Sequence, residues 1–281
     1  MMRHILNLMR WEWFKLRKRW MPWIILAVIL LYTQVFGVWS GFVFYRMSPS
    51  SEAYAGLKLP QGLVDSVTVV CSQVGVILII VLTASVIGTE YRWGTIRPVL
   101  AKGTGRWQYL ASKVLLIWLL VVGALLVVMA ASAISSLIAG ALAGGAPEGA
   151  SISARWVDVP IAFGKASFFL LPYIALATFS TVLTTSSAAG MAISVVLYLA
   201  DTAAAFAFLE ISRRLETAVS YMLGWNAGAW ITMGDAGATD AGDILNALPS
   251  ATHAFLVLTA YILLLGGLAL WLFQRRDVAA K

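Results

Sequence analysis

Apolar stretches without a single charge recur along this chain, at 22–45, 66–88, 114–147 and 166–200. A last run, 250–274, holds only His253 as a titratable group. A helix needs about 20 mostly apolar residues to cross a hydrocarbon layer about 30 Å thick. The first two runs and the last fit one span each, and the third suits a single long span that ends near Gly144, Gly145 and Pro147. The run 166–200 is too long for one span. Its middle, TTSSAAG at 184–190, is a small polar break, so it reads as a helical hairpin. The pattern predicts an all-α integral membrane protein in a single domain over 1–281. Its six transmembrane helices fall at 22–45, 66–88, 114–143, 161–183, 188–209 and 252–273.

Ahead of the first span, residues 3–20 read RHILNLMRWEWFKLRKRW. At 100° per residue, Ile5, Leu6, Met9, Trp13, Leu16 and Trp20 fall within one arc of about 100°. Arg3, Asn7, Arg10, Arg17 and Lys18 lie opposite. Such a helix lies in the membrane interface, with indoles at headgroup depth and basic groups toward anionic lipid. A cleaved secretory signal is the competing idea, but the apolar stretch that follows is too long and no small-residue cleavage site closes it. The segment reads either as an orientation-setting anchor or as an elbow helix bracing the first span, with Trp11, Trp13, Arg17 and Trp20 as its interface residues.

Composition agrees with the pattern. Of 281 residues 60% are hydrophobic and 12% charged, against about 25% charged in soluble domains. The net charge of +7 would suit nucleic acid only if the basic residues shared one solvated domain. They are distributed over loops instead, and no nucleic-acid partner is expected. Orientation follows from where they sit. With the N-terminus inside, the inner segments hold Arg3, Arg10, Lys15, Arg17, Lys18 and Arg19, then Arg92, Arg97, Lys102, Arg106 and Lys113, then Arg275, Arg276 and Lys281. Glu12, Glu90 and Asp277 are their acids. The outer segments are net acidic. Both termini are therefore expected in the cytoplasm of a multi-pass plasma-membrane protein, in a prokaryotic cell membrane.

Catalytic chemistry is sparse. The single cysteine, Cys71, permits no intrachain disulfide, and two histidines are too few for a histidine metal site. The one Gly-Lys pair, Gly164-Lys165, continues with Ala166, so the chain has no phosphate-binding loop of its own. An integral-membrane enzyme would need clustered His, Asp or Glu near one interface, and the carboxylates here are scattered. No bound cofactor or metal is expected.

The inner connection 88–113 reads GTEYRWGTIRPVLAKGTGRWQYLASK. As an ordinary basic loop it would only set orientation. Three features point further. Glu90 closes an apolar span, where a carboxylate is costly unless it finds Arg or Lys. Tyr91, Trp93, Trp107 and Tyr109 supply interfacial anchors. A short helix from about Trp93 to Lys102 would offer Ile96, Val99 and Leu100 to a partner's groove, with basic residues at the rim.

This string resembles the cytoplasmic loop of type-2 ABC-transporter permeases. That pattern has Glu, three residues, Gly-Thr, a basic residue, an apolar stretch, Gly or Pro, Arg, and Lys opening the next span. The matching positions are Glu90, Gly94, Thr95, Arg97, Leu100, Gly103, Arg106 and Lys113. The resemblance extends to the layout: elbow helix, six spans, a polar turn between spans four and five, and an outer segment at 210–250. It implies that 89–113 forms a coupling helix docked on a separate ABC ATPase, present in two copies and carrying the ATP and Mg. Glu90, Arg92, Gly94, Thr95, Arg97, Gly103 and Arg106 would carry the contact or its geometry. It further implies a second copy of this chain across the pathway, and export of a drug, peptide or lipid. Pro98 departs from a regular helix, and the coupling helix is expected to begin there or to kink. Replacing Glu90 or Arg97 is expected to uncouple the partner's ATPase without lowering expression.

The remaining candidates are weaker. LEISRRLETAVSYML could form an external or re-entrant helix, with Leu215, Val219 and Met222 on one face and a Glu210–Arg214 pair. Asp235, Asp240 and Asp243 do not match an EF-hand spacing and read as an acidic loop. Asp201 lies inside the fifth predicted span, where an ionisable group is a pathway candidate, although a lone carboxylate near a span's end also caps or snorkels. Lys165 can reach the headgroups along its stem. Ser132, Ser136, Gly140 and Gly144 recur every four positions, a spacing that permits close packing and that chance also supplies. An ion-coupled carrier would call for inverted repeats and midplane charges, of which only Asp201 is present. A non-transporting assembly or immunity factor shares the same layout.

Overall fold

The computed structural model describes residues 2–48, 51–101, 105–144, 155–211, 216–232 and 249–275. Among the described residues the fold is all-helical. Six helices are long and apolar enough to cross a membrane: Trp20–Met47, Gln73–Trp93, Arg106–Ala143, Asp158–Thr184, Ser187–Ala205 and Ala251–Arg275. In chain order the elements are α1 (Met2–Arg17), α2 (Trp20–Thr33), a π-helical turn (Gln34–Trp39), α3 (Ser40–Met47), α4 (Ser51–Gly56), α5 (Gln61–Val70), α6 (Gln73–Trp93), α7 (Ile96–Ala101) and α8 (Arg106–Ala143). They continue as α9 (Asp158–Phe169), α10 (Leu171–Thr184), α11 (Ser187–Ile211), α12 (Glu216–Val219), α13 (Leu223–Thr232) and α14 (Ala251–Arg275). The chain divides into two compact units, Met1–Lys18 with Ile79–Trp118 and Phe169–Lys281, and Arg19–Leu78 with Leu119–Phe168.

The second of these units holds α2 to α5 and the later part of α8. Its first span is continuous but locally unwound at the π-helical turn, where Gln34 Nε2 donates to Ser132 Oγ at 3.0 Å. Thr33 and Ser40 donate their hydroxyls to the carbonyls of Ile29 and Phe36, both at 2.8 Å, so these polar groups are satisfied within the helix itself. The four-residue stripe on α8 is a packing seam. Ser132 takes the Gln34 amide, and Ser136 lies so close to Gly62 that no Cβ fits there. At Gly140 a Cβ would come within 3.3 Å of the Leu57 carbonyl. Gly144 instead ends α8 in a left-handed conformation, φ +82°.

The second span differs from its predicted bounds of 66–88. Residues 61–70 form the separate helix α5, which closes at Cys71 and Ser72, and the span begins at Gln73 and runs on to Trp93. Gly75 sits against the Val70 carbonyl, where a side chain would collide. The third span begins at Arg106, ahead of the predicted 114, because the amphipathic stretch RWQYLASK continues the helix.

In the other unit α10 is the central helix, packed against both α11 and α14. Tyr173, Ile174, Ala177 and Leu258 are fully enclosed there. The polar break closes the α10–α11 hairpin, with Thr185 at φ +54°. Gly190 and Gly88 give two close approaches: a Cβ at Gly190 would meet Thr181, and one at Gly88 would meet the Ser187 backbone.

Candidate functional site

The most unusual chemistry in the molecule is a set of charges buried where α1, α6 and α8 meet, all within one unit. Glu12 of α1 is 6% exposed, Glu90 of α6 2% and Lys113 of α8 2%. Lys113 Nζ bonds Glu12 Oε2 at 2.7 Å and Glu90 Oε1 at 2.9 Å. Lys15 Nζ bonds Glu12 Oε1 at 2.9 Å and lies 3.9 Å from Glu90 Oε1. The Tyr109 hydroxyl donates to the other oxygen of Glu90. Two carboxylates thus face two ammonium groups, and each charge has a partner. Tyr109 in turn stacks on Phe273 of α14, centroids 6.0 Å apart, and its ring lies 5.1 Å from the Lys113 ammonium. Burial pushes the Glu12 carboxyl up, but attraction and hydrogen bonds from Lys113 and Lys15 more than offset it and hold it below the usual value. Removing one member of a buried pair costs about 3–5 kcal/mol, since the remaining charge stays desolvated.

This anchor explains the motif that follows it. The Thr95 N–H donates to the Glu90 carbonyl at 3.2 Å and the Gly94 N–H to that of Tyr91 at 3.3 Å. This is the paired bonding of a Schellman cap, with Gly94 in the left-handed position at φ +63°. Glu, three residues, then Gly-Thr is therefore the spacing of a helix end: the carboxylate is buried one turn before the chain turns away. Arg92 and Trp93 (58% exposed) lie on the outside of that turn. Helix α7 then starts at Ile96, which is buried. Pro98 falls in its first turn, where a missing N–H costs nothing, so the helix begins two residues ahead of it. The Thr95 hydroxyl is buried without a hydrogen-bond partner among the described residues. Arg106 opens α8 and donates to the Gln274 carbonyl at 2.7 Å, tying the far end of the loop to α14.

Of the loop residues singled out from the sequence, Glu90, Gly94, Thr95 and Arg106 thus hold the connection in shape, and Arg92 is open to solvent. Arg97 lies on α7, with its side chain outside the described part, and Gly103 lies outside the described residues. Because Glu90 is enclosed, its replacement is expected to lower stability as well as to disturb the loop. Sequence reasoning found Glu90 and its need for a cation, but not the parts played by Glu12, Lys15 and Tyr109. The available signal was charge isolation: Glu12 and Glu90 are lone acids in strongly basic segments.

On α1 the enclosed face is Glu12 and Leu16, while Trp11 and Trp13 are 69% and 45% exposed and Arg10 and Arg17 are open. The buried face is thus turned to one edge of the predicted apolar arc, because the Glu12–Lys113 pair draws a charged position inward and leaves the Trp13 indole outside. Trp20, 83% exposed, already belongs to α2. Asp201 is engaged as a cap: its oxygens accept from the Leu223 N–H at 3.2 Å and the Gly224 N–H at 2.5 Å, at the start of α13. Gly224 is needed there, since a Cβ would stand 2.8 Å from the carboxylate. The Leu215 face and the Glu210–Arg214 pair of the outer segment, and the acidic positions Asp235, Asp240 and Asp243, lie outside the described residues or side chains.

Six apolar helices of spanning length define a multi-pass α-helical membrane protein. The chain belongs to a family described as a protein of unknown function (DUF2705), whose profile matches residues 23–279. No curated protein matches it.

Proposed function

We propose that this chain is the non-catalytic, membrane-spanning subunit of an ATP-driven exporter of the type-2 ABC class, with both termini and the α6–α8 connection in the cytoplasm. Two copies would enclose a route for hydrophobic or amphipathic cargo, and two copies of a separate ATPase would supply ATP and Mg. The observation that carries the reading is the α6–α8 connection. A buried ion network joins the helices on either side of the connection and a Schellman cap closes α6, while Arg92 and Trp93 remain exposed. A loop that only set orientation has no need of such an anchor. A loop that transmits a push does, because motion of α7 reaches α1, α6 and α8 only through a stiff joint. α1, with its indoles and basic groups outward, would be the elbow helix resting in the interface of a prokaryotic cell membrane.

The test is co-purification. The tagged chain is extracted from native membranes in mild detergent and whatever accompanies it is identified by mass spectrometry. A cytoplasmic ATPase with a phosphate-binding loop, near one-to-one, is the expected outcome. Its absence, with a control showing that such complexes survive the detergent, would shift the account to an ion-coupled carrier.

A further inference from the structure

The ion network uses one face of α1 and leaves the other turned outward. Glu12 and Leu16 point inward and are buried. At 100° per residue, Phe14 lies opposite the midpoint of that pair, with Arg10 and Lys18 about 40° to either side of it. Trp11 and Trp13 flank this row. All five are exposed, the Trp11 indole most of all. The Lys18 ammonium stands 4.4 Å from the centre of the Phe14 ring.

Two properties of this outward face decide what it can meet. The first is charge of a single sign. Glu12 is the one acid in residues 1–18, and it is spent inside on Lys15 and Lys113. No carboxylate of α1 is left to neutralise Arg10 and Lys18. The second property is interleaving. Aromatic and basic side chains alternate around the outward arc instead of separating into an apolar half and a polar half. Hydrocarbon rejects the cations, and an indole is poorly served by bulk water, since only its N–H is polar. The headgroup layer of a bilayer accepts both, with rings among the glycerol groups and cations on the phosphates. A zwitterionic headgroup returns as much positive charge as negative, so this face gains most from lipids of net negative charge. An acidic groove on a protein would match the charge as well. The bilayer is favoured because α1 ends at Arg17 and the first apolar span begins at Trp20, so the chain itself keeps α1 at the membrane edge.

We infer that the outward face of α1 is a docking surface for anionic phospholipid. Arg10 and Lys18 take the phosphates, Trp11 and Trp13 seat among the headgroups, and the buried Glu12–Lys113 pair sets which face is offered. The inference rests on the interfacial placement of α1 proposed above and needs no ATPase. Its test uses the purified chain alone, so its outcome and that of the co-purification are independent.

The experiment titrates tritiated phosphatidylglycerol into the detergent-purified full chain, in micelles containing excess phosphatidylcholine, and counts bound lipid. Saturable binding is expected, weakened by added salt and at least about fivefold weaker, close to 1 kcal/mol, in the folded double variant Arg10→Gln with Lys18→Gln. The double variant Arg46→Gln with Arg155→Gln removes the same charge from exposed positions elsewhere and should bind as the native chain does. Glu12→Gln makes α1 more positive by one unit and is nevertheless expected to bind no more tightly, because the offered face and not the charge count governs. Absence of saturable phosphatidylglycerol binding would hand the face to an acidic protein groove and overturn the proposal. Equal losses in the two double variants, tighter binding by folded Glu12→Gln, or displacement by soluble glycerol phosphate as effective as that by the lipid would overturn it too.

Discussion

Lys113 is the residue on which the ion network turns, because it lies within 2.9 Å of both buried carboxylates, whereas Lys15 stands 3.9 Å from Glu90. Lys113→Met should therefore destabilise the chain by about 3–5 kcal/mol, and adding Glu90→Gln to it should recover part of that loss. Denaturant unfolding in mixed micelles measures both, and an unchanged midpoint for Lys113→Met alone would contradict the network. Lys15 is 40% exposed at its side chain, and its removal should matter far less. Glu12 adds a pH signature. Its folded carboxyl lies below the reference value of 4.5, so its contribution is complete above that value and is lost as pH falls through the folded one. The melting temperatures of the native chain and Glu12→Gln should differ by a constant amount above about pH 5 and converge on acidification. A gap that widens toward low pH would have the wrong sign. At this scale the sequence was legible for Glu90, because a carboxylate closing an apolar span must find a cation. It was not legible for Glu12, because a helical wheel assigns every carboxylate to the wet face and cannot see a partner on another helix.

At the scale of elements, the helix end at Gly94 separates a generic loop from a shaped one. A Cβ there meets nothing within 4 Å, so only the left-handed backbone opposes a side chain. Gly94→Ala should cost about 1–2 kcal/mol and Gly94→Asn less, since Asn tolerates that region. If unfolding midpoints show the two variants equal to glycine, the cap is not under conformational demand. Most spans were readable because the bilayer enforces length and apolarity together. The α5–α6 break was not, since it carries no charge and its polar pair, Ser72 and Gln73, is short enough to pass inside a span. Gly75, pressed against the Val70 carbonyl, is the structural record of the break. The seam on α8 was visible as a spacing but undecidable until Gln34 and Gly62 appeared opposite Ser132 and Ser136.

At the scale of the whole molecule, the proposed function makes the chain one half of a machine whose fuel is consumed elsewhere. In that proposal the ion network and the capped turn stiffen the connection that carries α7, and its exposed side is Arg92 and Trp93. The most direct measurement is photo-crosslinking in living cells with Trp93→benzoylphenylalanine, compared with Tyr221→benzoylphenylalanine near α13, where the native tyrosine is 58% exposed. An exporter subunit coupled through this connection captures a protein bearing a phosphate-binding loop from the Trp93 position and not from the Tyr221 position. Capture of such a protein from Tyr221, or of none from Trp93 in a fully expressed variant, would contradict it.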